Sequence, residues 1–79
     1  MKGNDNMKAT KLVNELLNLR ENHGGLTEMG IWLSDDRQKV TVNLEYTYYD
    51  YDFLPEALEK IIDQYMYEWN YSFELDIYL

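Results

Sequence analysis

Seventy-nine residues with a formal charge of −8, 46% apolar content and no cysteine describe one small folded domain. They exclude a disordered acidic tail, a disulfide scaffold and a thiolate metal site. A chain near this length buries only about 60% of its unfolded surface, which leaves little material for a deep catalytic cleft.

Residues 1–6 are polar and read as a flexible N-terminal arm, ahead of a single α+β domain over residues 7–79. From about residue 7 to 22, Ala9, Leu12, Val13, Leu16 and Leu17 recur at helical spacing and form one apolar stripe. His23-Gly24-Gly25 should end this helix, with glycine taking the left-handed cap conformation. A helix C-terminus favours a cationic ring, so His23 reads as a capping residue and not as a catalytic one.

Met29, Ile31 and Leu33 then alternate with Gly30 and Trp32, and Val40, Val42, Leu44 and Tyr46 alternate with Thr41, Asn43 and Glu45. With the polar Ser34-Asp35-Asp36-Arg37 between them, these runs predict an antiparallel hairpin whose apolar face packs on the helix. Pro55 opens a second helix, in which Leu58, Ile61, Ile62, Tyr65, Met66 and Trp69 make an amphipathic stripe. Glu56 and Glu59 occupy its first turns, where the helix dipole favours negative charge. In residues 71–79, Tyr71, Phe73, Leu75, Ile77 and Leu79 alternate with Ser72, Glu74, Asp76 and Tyr78, which predicts a last strand.

The expected order is therefore α-β-β-α-β. It predicts a two-layer sandwich with both helices on one face of a three-stranded mixed sheet. The second helix acts as a crossover, so the second and third strands should run parallel, in the spatial order 2-1-3. One face of the sheet stays open. Tyr46, Tyr65 and Tyr71 are expected in the core.

Charge is segregated along the chain. Residues 1–40 balance six acids with six bases, whereas residues 41–79 hold nine acids, Lys60 as their one base, and all eight tyrosines. Such a field repels nucleic acid and anionic membranes and steers basic partners in. Solubility requires neither the segregation nor the tyrosines.

Chemistry-bearing constellations are sparse. One histidine and no cysteine give little basis for nucleophilic catalysis, and no glycine-rich phosphate loop opens a helix. Asp50, Asp52 and Glu56 lack the central glycine of a calcium loop, and Pro55 stiffens the segment, so no metal and no cofactor is expected. Two acidic surfaces remain. In the first, Glu56, Glu59 and Asp63 line one helix face at i, i+3, i+7, extended upstream by Asp50 and Asp52 and flanked by Tyr48, Tyr49 and Tyr51. Tyr67 and Glu68 are expected one helical turn further on. Carboxylates about 5–6 Å apart along such a ridge match the pitch of nucleic-acid phosphates and suit the Lys/Arg sites of a nucleic-acid-binding groove. In the second, Trp32, Glu45, Glu74, Asp76 and Tyr78 share the open face of the sheet, where they would hold a partner or a second copy. The first surface is the favoured one.

On Asp50, Asp52, Glu56, Glu59 and Asp63, with Tyr48, Tyr49 and Tyr51, the chain resembles the small acidic inhibitors encoded by phages and mobile elements, the anti-CRISPR proteins and other DNA mimics. That resemblance implies a non-enzymatic, stoichiometric inhibitor of a nucleic-acid-processing defence enzyme, working in the cytoplasm of a bacterial host. Its partner would be a basic nucleic-acid-binding protein, with no direct nucleic-acid or membrane binding. A second resemblance is to immunity proteins and antitoxins that cap basic nuclease toxins. A self-assembling module that dimerises through the open sheet face is the third reading.

Overall fold

A computed structural model describes residues 2–47 and 56–79. The helix α1 spans Lys2–Asn22 and therefore begins within the stretch read above as an arm. Its buried stripe is Ala9, Leu12, Leu16 and Leu19, with Val13 half-buried beside it. The spacing of 3, 4 and 3 residues keeps these side chains on one side of a 3.6-residue helix. A short 3-10 turn, Gly24–Leu26, follows. No described glycine has a positive φ. The helix thus ends where His23 turns to an extended backbone (φ −122°, ψ 105°), after which Leu26 N–H donates to the His23 carbonyl at 2.9 Å to close the 3-10 turn, and not through a left-handed glycine cap. His23 makes no side-chain capping hydrogen bond to this turn.

The strands β1 (Gly30–Leu33) and β2 (Lys39–Asn43) form the expected antiparallel hairpin, with Ile31 opposite Val42 and Leu33 opposite Val40. Ser34 and Lys39 close the connection through Ser34 N–H and the Lys39 carbonyl. Asp36 braces it by accepting from Ser34 Oγ at 2.7 Å and Gln38 N–H at 3.0 Å. Those two hydrogen bonds hold the Asp36 carboxyl below its ordinary pKa. Arg37 takes the left-handed conformation at φ 59° that the tight turn requires.

After the hairpin the expected architecture fails in one respect that changes the rest. The helix α2 covers only Glu56–Ile62, and the chain then forms β3 (Met66–Tyr71) and β4 (Glu74–Tyr78). The order is α-β-β-α-β-β, and the sheet is four-stranded and wholly antiparallel, arranged β1-β2-β4-β3. The three-stranded mixed sheet and the 2-1-3 order are therefore incorrect. The cause lies in residues 65–71. Tyr65, Met66 and Trp69 continue the helical stripe of Leu58, Ile61 and Ile62, yet Tyr65, Tyr67, Trp69 and Tyr71 satisfy a period of two. The aromatic content of Met66-Tyr67-Glu68-Trp69-Asn70-Tyr71 favours the pleated form. A tight turn at Ser72-Phe73 then returns the chain as β4. The crossover argument fails with it: the strand expected over residues 71–79 is β4, and it runs antiparallel to β2, because β3 intervenes in the chain and reverses its direction.

Core and solvent sides follow from this register. Val40, Val42, Leu75 and Ile77 are fully buried beneath Leu12, Leu16, Leu58 and Ile62. Val40 faces Ile77 and Val42 faces Leu75 across the central strand pair. Tyr65 packs half-buried against this cluster, as expected. Tyr46 and Tyr71, both expected inside, are exposed. Tyr46 lies in the turn beyond β2, and Tyr71 falls at a register shift on the outer strand. Met66 and Trp69 leave the helical stripe and become exposed residues of β3.

Because Leu75 sits at the centre of the shared apolar face, Leu75→Ala removes atoms that the rigid sheet cannot replace. It is expected to lower unfolding stability by about 2–5 kcal/mol, measured by urea denaturation.

Candidate protein-interaction surface

Each strand that buries alternate residues toward the helices turns the others outward, and the register brings these into rows across the sheet. One row is Trp32, Thr41, Asp76 and Glu68, taken in order over β1, β2, β4 and β3. The row on one side of it is Lys39, Tyr78 and Met66. The row on the other side is Gly30, Asn43, Glu74 and Tyr71. The open face therefore brings together four of the five residues predicted for the second surface: Trp32, Glu74, Asp76 and Tyr78. Glu45 lies beyond β2, in the turn that its own N–H closes by donating to Asn43 Oδ1 at 2.9 Å.

These residues do different work. Asp76 is 8% exposed even though it faces the open side. Its Oδ1 accepts from Thr41 Oγ1 at 2.7 Å and its Oδ2 from Asn70 Nδ2 at 2.8 Å, with Lys39 Nζ 3.8 Å away. Asn70 is the extra residue where the β3–β4 register shifts between Trp69 and Tyr71, and that irregularity serves to aim its amide at Asp76. One carboxylate thereby ties β2, β3 and β4 together. Burial pushes the Asp76 pKa up, but the Asn70 and Thr41 hydrogen bonds and the charge of Lys39 more than offset this, so it lies below its ordinary value. Asp76 is an anchor within the sheet and not a free carboxylate for a partner.

The exposed apolar and aromatic residues surround this anchor. Trp32 is 57% exposed, Tyr71 63% and Met66 78%. Tyr78 donates from its hydroxyl to Glu68 Oε1 at 3.3 Å. Burial, followed by the charge of Glu68, raises the Tyr78 pKa above its ordinary value. Tyr71 stacks on Phe73 with ring centroids 5.5 Å apart. Trp32 lies along its own strand. A Cβ on Gly30 would fall 2.5 Å from Trp32 Cη2, so the indole occupies the space that any other residue at position 30 would fill. Glycine thus gives the ring a flat bed on the sheet. An open groove of about 530 Å³ beside the hairpin turn, lined by residues including Asp35, Lys39 and Tyr78, continues the face past its edge.

The first predicted surface is only partly described. Tyr48, Tyr49, Asp50, Tyr51 and Asp52 lie outside the described residues. Glu56 and Glu59 are exposed on α2, and Asp63 is exposed just after it, with its N–H donating to the Glu59 carbonyl at 3.0 Å. Lys60 pairs with Glu56 at 3.5 Å in a solvated i,i+4 contact, so part of the ridge charge is balanced locally. The expected continuation into Tyr67 and Glu68 is absent, because α2 ends at Ile62 and both residues belong to β3. Sequence reasoning placed Met66 and Trp69 inside, put Tyr71 in the core and left Lys39 unassigned. The signal missed for Met66, Trp69 and Tyr71 was the alternation of residues 66–71. Neither a protein-family model, nor a curated protein, nor a solved structure matches the chain. Among the described residues, no helix is long and apolar enough to cross a membrane.

Two outcomes are expected of this face. Asp76→Ala strands the Thr41 and Asn70 donors and should cost about 1–3 kcal/mol at neutral pH by chemical denaturation. Because folding lowers the Asp76 pKa, its ionisation contributes stability fully above the unfolded carboxyl value of about 3.9. That contribution is lost as pH falls through the folded value, so the gap between the wild type and Asp76→Asn should narrow in acid. Gly30→Ala should lift the indole from the sheet, detected in a Trp69→Phe background as a red shift and faster quenching of Trp32 emission.

Proposed function

We propose that the protein acts by binding and not by catalysis, docking its open sheet face on a basic surface of another protein. The observation that carries this reading is the uncovered face itself. Trp32, Tyr78, Met66 and Tyr71 supply apolar contact area around Glu68 and Glu74, on a scaffold already locked through Asp76. Rigid aromatic anchors ringed by polar groups are the usual composition of a binding hot spot. The net charge of −8 provides long-range steering toward a cationic partner. Among partners of that kind, a nucleic-acid-processing enzyme of a bacterial host is the one we favour, with this chain as its stoichiometric inhibitor in the cytoplasm. An immunity or antitoxin role uses the same physics against a nuclease toxin.

The ridge of Glu56, Glu59 and Asp63 is the second reading, favoured by one observation. Asp63 stands at the C-terminal end of α2, where the helix dipole disfavours an acid, so it is placed against local stability.

Tagged protein presented to nuclease-treated bacterial lysate tests both surfaces at once. The expected result is salt-sensitive retention of a basic nucleic-acid enzyme whose activity falls to zero at a fixed molar ratio. Trp32→Ala with Glu68→Lys should abolish retention, while Glu56→Lys, Glu59→Lys and Asp63→Lys together should weaken it only through the loss of steering. The reverse pattern moves the site to α2. If the wild type retains only itself, the face is a dimer interface and the inhibitor reading fails.

A further inference from the structure

The two edges of the sheet are unlike. At one edge β1 has four residues and lies against α1. At the other, β3 has six residues, all exposed, and among the described residues it pairs only with β4. In an antiparallel ladder every second residue turns its N–H and C=O away from its neighbour, so the outer side of β3 carries a row of backbone groups that no described strand meets. Edges are commonly blunted by brevity, lysine or proline. This strand has neither residue, and its register shift is confined to the end near Tyr71, which leaves Met66–Trp69 regular. Its two sides also differ. Tyr67 and Trp69 fall opposite Ile77 and Leu75, on the helix side, yet remain exposed because the helical layer stops short of them. Glu68 lies on the open side in the row of Asp76.

We propose that the outer edge of β3 receives an extended segment of the basic partner as a fifth strand, one whose side chains alternate apolar and basic. Backbone pairing supplies the affinity in strand addition, and alternate side chains supply the selectivity. Here the apolar side chains meet Tyr67 and Trp69, and a lysine or arginine meets Glu68. Charge selects this occupant over a second copy: two chains of −8 repel, and the one charged residue of each β3 is an acid. The inference rests on the reading that the protein binds a basic partner, and it adds how that partner is gripped.

The test uses the full chain labelled with nitrogen-15 and two synthetic peptides of about seven residues, the length of an ordinary strand. One alternates lysine and valine. The other has the same sequence, N-methylated at its internal amides, which keeps charge and apolar content but removes the donors. The first peptide is expected to slow hydrogen exchange at alternate amides of residues 66–70 by about tenfold or more. The methylated peptide should not do so, and Glu68→Lys should abolish the effect of the first. Equal binding of both peptides, with shifts confined to Trp32, Glu74 and Tyr78, would overturn strand addition while leaving the face reading intact. No protection by either peptide would also overturn it, and the face reading would then stand or fall on the lysate experiment alone. Concentration-dependent protection of β3 without peptide would identify a second copy as the occupant and refute the proposal.

Discussion

The structure depends on the pairing of β2 with β4. Their alternate residues Val40, Val42, Leu75 and Ile77 are buried without remainder, so the two strands must present one shared face to the helices. A slip of β4 by one residue against β2 would turn Leu75 and Ile77 to solvent and bring Asp76 into the apolar layer, which makes the register strongly specified. Once β4 lies beside β2, the short connection through Ser72 and Phe73 leaves β3 only the far side of β4. The exposed edge and the broad open face are consequences of that one pairing.

Asp76 shows how the outward side of such a sheet is kept in order. A carboxylate with little access to water is costly unless its hydrogen bonds are met. This one is met by Thr41, Asn70 and Lys39, drawn from the two strands that flank β4. The apolar core holds the helices to the sheet, while the Asp76 cluster joins the strands from the opposite side. With the strands so fixed, Trp32, Tyr78 and Glu68 are positioned without needing a partner to order them, which would lower the entropic cost of the proposed binding.

Charge and aromatic area divide the work of recognition. In the proposed binding mode, the acids of residues 41–79 would act at a distance and set which partners arrive, whereas the rings of Trp32, Tyr71 and Tyr78 would act on contact. Among the described residues, the exposed tyrosines come from the turn after β2 (Tyr46), from β3 (Tyr67, Tyr71) and from β4 (Tyr78), so the surface is assembled by folding and is not a linear epitope. Asp63 at the wrong end of α2 and Trp69 beyond the helical layer both depart from what stability alone would select. Departures of that kind are expected where a surface is kept for binding.

Much of this was legible in the residues themselves. The stripe of α1, the β1–β2 hairpin and the apolar alternation of Leu75 and Ile77 each obey a single period, and each is present, with Leu19 in the buried stripe in place of Leu17 and with β2 ending at Asn43. The open face was legible too, because Trp32, Glu74, Asp76 and Tyr78 all stand out of phase with their buried neighbours. Residues 65–71 were different. Tyr65, Met66 and Trp69 fit a period of 3.6 while Tyr65, Tyr67, Trp69 and Tyr71 fit a period of 2, and the turn at Ser72-Phe73 has no glycine, asparagine or proline to mark a hairpin. Only pairing with β4 decides between the two, and that pairing is an interaction between segments, which no local pattern contains. The sequence by itself determined the charge segregation, the composition of the face and the one-sidedness of its elements. The tertiary structure decided that β3 is a strand and an edge, and that Asp76 is an anchor, because both follow from which residues stand opposite one another across the sheet.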